Sequence, residues 1–226
     1  MKRLLIIAFV TITGFAYAQK SENRSVGSFK GVKALQGIDV YLKKGTKEAV
    51  RVEVSGVELK DVITEVSGEY LKIQMEHGNY RNEHSVKVYV TYVDLTKISA
   101  SSAGNVFAEN VIKAKELSLS ASSAGTIDIQ IEAEQVDVSA SSAADVELKG
   151  KVTTITINAV SAAEVDAYEL VADNVDVETV SAASAKVNVV KSIKARAVSG
   201  ASIRYRGNPE QSNTTSTSGG SVKKSN

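Results

Sequence analysis

The stretch SASSAG occupies residues 99–104 and returns at 120–125, with SASSAA at 139–144. Small polar runs of this kind usually mark a flexible linker. Here they recur inside a chain of alternating Val, Ile and Leu, where a linker has no place. Aligned on their shared serine, the segments continue as Ser102, Ser123, Ser142, Ser161, Ser181 and Ser199, at intervals of 21, 19, 19, 20 and 18 residues. Neighbouring columns keep the same phase. Before the small segments lie LSL (117–119), VDV (136–138), ITI (155–157), VDV (175–177) and IKA (193–195). After them come NVFA (105–108), TIDI (126–129), DVEL (145–148), EVDA (164–167), SAKV (184–187) and SIRY (202–205). Self-similarity at a fixed period is the signature of a solenoid.

The period within each copy decides which solenoid. Apolar residues alternate with polar ones and are rich in Val, Ile and Thr, as in strands. No copy holds a helical spacing. A unit of about 19 residues divides into three short strands with tight corners, which predicts an all-β parallel β-helix with coils stacked ~4.8 Å apart. The leucine-rich pattern L-x-x-L-x-L and the calcium-binding G-G-x-G-x-D pattern are both missing. The columns 117/136/155/175/193 and 119/138/157/177/195 then read as inward apolar ladders. Ala121, Ala140, Ala159, Thr179 and Ala197 form an inward ladder of small side chains. The Ser column and the Ala or Gly pair after it are expected at a corner. Gly104, Gly125 and Gly200 would supply unusual dihedrals there. Stacked hydroxyls would bond along the column or to corner amides.

Residues 26–98 repeat less cleanly but still read as strands over 37–45, 49–56, 69–75 and 85–92. Connections at 57–68 and 76–84 interrupt them. This half is expected to form irregular opening coils with hairpin-like excursions that cover the end of the stack, where an open edge would pair with another chain. The domain is expected to span 19–211, turning at Asn208-Pro209 near its close. Residues 212–226 read as a polar, partly disordered tail in which SGGSV (218–222) echoes one last corner.

Composition narrows the function. MKRLLIIAFVTITGFAYAQ has a basic start, a short apolar run and the small-x-small pattern Ala16-Tyr17-Ala18, so residues 1–18 read as a cleaved signal peptide. No later segment is apolar enough to span a membrane, which predicts a location in the periplasm, at the outer surface or outside the cell. With no cysteine, the exported chain does not rely on disulfides. A net charge of +1, from 27 basic and 26 acidic residues, offers no basic stripe for nucleic acid. Aromatic residues at 5% and no Trp argue against a sugar-stacking cleft of the usual kind.

On these residues the chain resembles the auto-transporter adhesin head GIN domains, also known as a domain of unknown function in exported proteins of Bacteroidetes. The likeness runs over about 26–222 and rests on FKGVKALQGIDVYLKKG, VKVYVTYVDLTKISASSAGNV, the serial small-residue corners and the YRGNP…SGGSV ending. It implies a right-handed parallel β-helix at the cell envelope and an adhesin role drawn from similarity of shape.

Three chemistries deserve weighing. Asp128, Glu147 and Asp166 fall in one outward column of consecutive coils, continuing into Lys186 and Arg204, with Asp145 and Glu164 alongside. Stacked carboxylates about 5 Å apart either hold a cation or splay into solvent among lysines, and the second reading is expected. A polysaccharide lyase or hydrolase would use such a column, but no Arg or Lys base with a recognisable motif stands near it. The loop EHGNYRNEH (76–84) carries His77 and His84 at a spacing unlike the helical zinc motif, so a polar hairpin tip is expected and no metal. Its Tyr80 and Arg81 are candidate contact residues. The serines lack a partnering His. The reading is therefore a non-catalytic cell-envelope protein with no cofactor. It binds a glycan or protein through the ladder face (Asp128, Glu147, Asp166) or the loop (Tyr80, Arg81). The alternatives are a polysaccharide-active enzyme and a structural module that self-associates through its coil ends.

Overall fold

The computed structural model describes residues 20–78, 80 and 84–225; the signal-peptide reading of 1–18 and Arg81 lie outside the described residues. The chain is a β-solenoid of about seven turns at a spacing of ~19 residues. In its regular half the strands are β10 (Ile112–Ser122), β11 (Thr126–Ser141), β12 (Asp145–Val160), β13 (Glu164–Val180) and β14 (Ser184–Val198). Each pairs in parallel with the next, and the pairing joins the columns read from the repeat. Leu117 faces Val136, Val136 faces Ile155, Ile155 faces Val175 and Val175 faces Ile193. These side chains and the 119/138/157/177/195 column are buried. So is the small ladder, in which Thr179 lies between Ala159 and Ala197 at 0% exposure.

The coil is not three separate strands. One corner per turn breaks the strand, while another bend runs inside strands of 15 to 17 residues. There Lys115, Glu134 and Thr153 drop out of pairing while both neighbours stay in register, and at Asp173 the register toward β14 shifts by one residue.

The sharp corner differs from expectation in its chemistry. The left-handed residues are the serine and the residue after it: Ser102 and Ala103 have φ 53° and 61°, Ser161 and Ala162 54° and 61°. Gly104 and Gly125 do not lie in that region; they follow it and point inward, buried. Gly200 does, at φ 74°. Two successive left-handed residues with the amide of Gly104 on the carbonyl of Ser101 (3.0 Å) make a turn of the I′ kind. A non-glycine residue in this region costs roughly 1–2 kcal/mol. The stack compensates through a ladder of amides running across the corners: Ala103 to Ser123 O (3.0 Å), Ala124 to Ser142 O (3.1 Å), Ala143 to Ser161 O (3.1 Å). The aligned serines thus use their carbonyls, and their side chains are exposed. The hydroxyl bond that does form lies one column earlier, Ser122 to Ser101 at 3.0 Å. Gly104 has a separate reason to be glycine: a Cβ there would sit 2.6 Å from Ala34 O of the adjacent coil.

The opening half is more regular than its sequence suggested, but its coils are stacked out of chain order. β2 (Gly31–Leu35) and β3 (Asp39–Lys44) form a true coil with its own left-handed corner at Gln36-Gly37. On one side it pairs in parallel with β8 (Lys97–Ser101) and β9 (Asn105–Ala108). On the other it pairs in parallel with β6 (Tyr70–Met75) and β7 (Ser85–Tyr92). The chain's first coil is therefore sandwiched between two later ones. The end beyond β6 and β7 is closed by antiparallel strands. β5 (Val62–Ser67), inside the 57–68 connection read as a loop, pairs with β6; β4 (Ala49–Ser55) pairs with β7, and β1 (Lys20–Arg24) with β4. Arg24 ties this cap together by donating to Leu59 O (2.6 Å) and Val62 O (2.5 Å).

At the other end, β15 (Ser202–Arg206), β16 (Gln211–Thr217) and β17 (Ser221–Lys224) complete the stack, with the 218–219 corner left-handed. The tail is thus a last coil. Its Ser212, Thr214 and Ser216 stand where Ile193, Ala195 and Ala197 stand one coil below, so the core closes on hydroxyls.

Candidate binding face

The strand that follows the sharp corner presents one outward column along the whole stack. Register pairs Arg51 with Tyr89, Tyr89 with Tyr41, Tyr41 with Phe107 and Phe107 with Asp128. From Asp128 it continues through Glu147, Asp166, Lys186, Arg204 and Lys223. At ~4.8 Å per coil the column is roughly 40 Å long. Its chemistry is ordered along the axis: cation, three aromatic rings, three carboxylates, three cations.

The carboxylate segment stands where the sequence placed it, but it is not free of lysines. Lys149 reaches Glu147 at 2.8 Å and Asp128 at 3.8 Å; Lys186 reaches Asp166 at 2.9 Å and Glu164 at 3.0 Å. These contacts set lysines beside the carboxylates, the arrangement of a column splayed among lysines. The hydrogen bonds that the lysines donate to the carboxylates push both lysine pKa values up. The pairing favours the charged form of each lysine. Asp145 carries the residual cost: burial first, then the charges of Glu164, Glu147 and Asp166, push its carboxyl above the usual range.

The aromatic segment escaped the sequence reading. Tyr41 stacks between Tyr89 (5.2 Å, 20° between planes) and Phe107 (5.3 Å, 26°), and the Arg51 guanidinium caps Tyr89 at 4.2 Å. A signal was present: DVYL, KVYV and NVFA each set an aromatic residue directly after an inward valine. The out-of-order stacking hid it.

Beside the aromatic segment lies a groove of about 510 Å³, lined by Arg51, Tyr89, Lys43, Glu109, Lys47 and Glu48 among others. Tyr80 stands apart from all of this. Its hydroxyl donates to Glu76 O at 3.0 Å and its ring packs against His84 and the core. The rows of Tyr89, Tyr41 and Phe107 separate its loop from Asp128, so the two candidate groups do not form one site. Among the described residues no cluster of His, Cys, Asp or Glu is placed to hold a metal ion, and no helix is long and apolar enough to cross a membrane.

A capped parallel β-solenoid with an ordered outward face is the class these features define. The chain belongs to the family described as "Putative auto-transporter adhesin, head GIN domain", whose model matches residues 28–209. Among solved structures it is similar to a "putative adhesin" from Bacteroides fragilis NCTC 9343, at 20% identity over 93% of this chain and 98% of that one, TM-score 0.83. A "putative adhesin" from Parabacteroides merdae ATCC 43184 is similar at 18% identity over 92% and 96%, TM-score 0.71. A "Putative lipid binding protein" from Parabacteroides distasonis ATCC 8503 is similar at 16% identity over 92% and 97%, TM-score 0.70. At these identities the likeness is one of fold. No curated protein matches the chain.

Proposed function

We propose that the chain is an exported, non-catalytic adhesin-like protein of the cell envelope that binds a partner along its outward column. The observation that carries this is the state of the carboxylates. Lys149 and Lys186 pair with them in geometries that favour the charged lysine, which speaks against the free acid/base pair of a hydrolase and the neutral lysine of a lyase. What remains is a rigid face whose charges are held in register by the backbone, suited to recognition. Family membership supports the adhesin reading, and the signal-like opening of the sequence supports export. Self-association through the coil ends is the second reading, carried by the outer edge of β16 and β17, which among the described residues pair only with β14 and β15. One end is an antiparallel cap edged by the charged strand β1, the other a coil whose inward positions are hydroxyls.

Two experiments test this. The full-length chain expressed in a bacterium should be recovered outside the cytoplasm, shortened by 18 residues in mass. Beads coated with that mature protein should adhere to bacterial or host cell surfaces, and Asp128→Lys with Asp166→Lys should abolish adherence. Depolymerisation of an acidic polysaccharide by the purified chain, or retention in the cytoplasm, would overturn the reading.

A further inference from the structure

Over most of the regular half, surface charge is settled between neighbouring coils: Lys113 with Glu132 (2.6 Å), Lys191 with Asp173 (2.8 Å), Lys194 with Asp176 (3.0 Å). The groove beside the aromatic segment is built differently. It exists because the β3–β4 connection, residues 45–48, overhangs the face where antiparallel β4 joins β7. Lys47 and Glu48 come from that connection. Lys43 projects from β3 two residues beyond Tyr41, and Glu109 follows β9, held by its amide on Leu42 O at 2.9 Å. Lys43 and Glu109 approach only to 3.8 Å. Lys47 makes no ion pair among the described residues. Arg51, stacked on Tyr89 and ion-paired with Glu53, borders the same space.

We propose that this groove binds an acidic saccharide, a sugar carrying one carboxylate and several hydroxyls. The proposal rests on the reading of the chain as a binding module and names the ligand class. Its volume of about 510 Å³ falls within the range of small-ligand sites. The mixture of charges selects the ligand. Lys47, which has no ion-pair partner among the described residues, suits a carboxylate. Glu48 and Glu109 suit donating hydroxyls. An extended peptide fits poorly, since it would need a free strand edge and β4 is already paired on both sides, by β1 and β7.

The test is calorimetric titration of the mature chain with short galacturonate, glucuronate and sialic acid oligosaccharides. Carboxyl-reduced analogues, inorganic sulfate and inorganic phosphate serve as comparisons. We expect saturable binding of at least one acidic saccharide, weakened about tenfold by Lys47→Gln and several-fold by Glu109→Gln, as loss of one charge-assisted hydrogen bond predicts. Lys113→Gln, outside both the groove and the outward column, should stay within about twofold. Melting curves for each variant check that the fold is intact. Absence of binding across the saccharides, binding indifferent to Lys47→Gln, or equal competition by sulfate or phosphate would overturn the proposal. If it falls while bead adherence persists, the adhesin reading stands without this ligand; if adherence fails too, both fall.

Discussion

Thr179 is the one residue of the small inward ladder that carries a hydroxyl, and that hydroxyl is fully buried without a hydrogen-bond partner. Desolvating an unpaired hydroxyl costs about 1–3 kcal/mol. Valine has nearly the same shape and no polar atom, so Thr179→Val should stabilise the fold by about 1 kcal/mol in urea unfolding. Unchanged or lower stability would mean the hydroxyl has a partner in solution. Asp145 yields a prediction with a sign. Its carboxyl is held above its ordinary value of 3.8, so the folded chain binds that proton more readily than the unfolded one. The charged form therefore opposes folding above the folded pKa, and the penalty fades as pH falls through that value and is gone below about 3.8. Asp145→Asn should stabilise at pH 7 by roughly 0.5 kcal/mol, the scale of screened surface charge. The gain should vanish at pH 3; a gain that persists there would assign it to something other than charge.

At the scale of the element, the aromatic segment holds three separate strands together across the break in chain order. Tyr41 sits on β3 in the middle, and each offset aromatic pair adds about 0.5–1.5 kcal/mol beyond its buried area. Tyr41→Ala removes both pairs at once and should destabilise by about 2–3 kcal/mol, read from thermal and denaturant unfolding. Phe107→Ala, which removes one pair, should cost less; equal losses would show that the stacking is not shared in this way. The corners behave differently. Ser102-Ala103 and its successors adopt a backbone usually left to Gly or Asn, and nothing local in SASSAG announces it. What permits it is the amide ladder from coil to coil, a property of the stack. Hence the sequence revealed that the small residues make a corner but assigned the special dihedrals to Gly104 and Gly125. Those glycines are instead explained by close approach to the neighbouring backbone.

For the whole molecule, what could be read from sequence followed the order of stacking. From Leu117 to Ala197 each coil lies on the one just before it in the chain, so period alone recovered every ladder and the Asp128–Glu147–Asp166 column. Before residue 97 the order is broken. β2 and β3 leave room on one side that β6 and β7 fill some forty residues later, after the chain has built part of its cap. Periodicity carries no information about such an insertion, and so Tyr41, Tyr89 and Phe107 could not be seen as neighbours, nor the groove beside them. The face described here depends on that arrangement. Because the chain has no cysteine, it can be tested cleanly by engineered disulfides between positions paired across coils, whose ~4.8 Å spacing lies within disulfide reach. Lys33 pairs with Ser99 on one side and with Lys72 on the other. The direct measurement is oxidation of the double variants Lys33→Cys/Ser99→Cys, Lys33→Cys/Lys72→Cys and Lys72→Cys/Ser99→Cys, read by peptide mass mapping. The first two should cross-link within the monomer and the third should not. Cross-linking of the third pair with failure of the others would place β6 directly on β8 and dismantle the aromatic face.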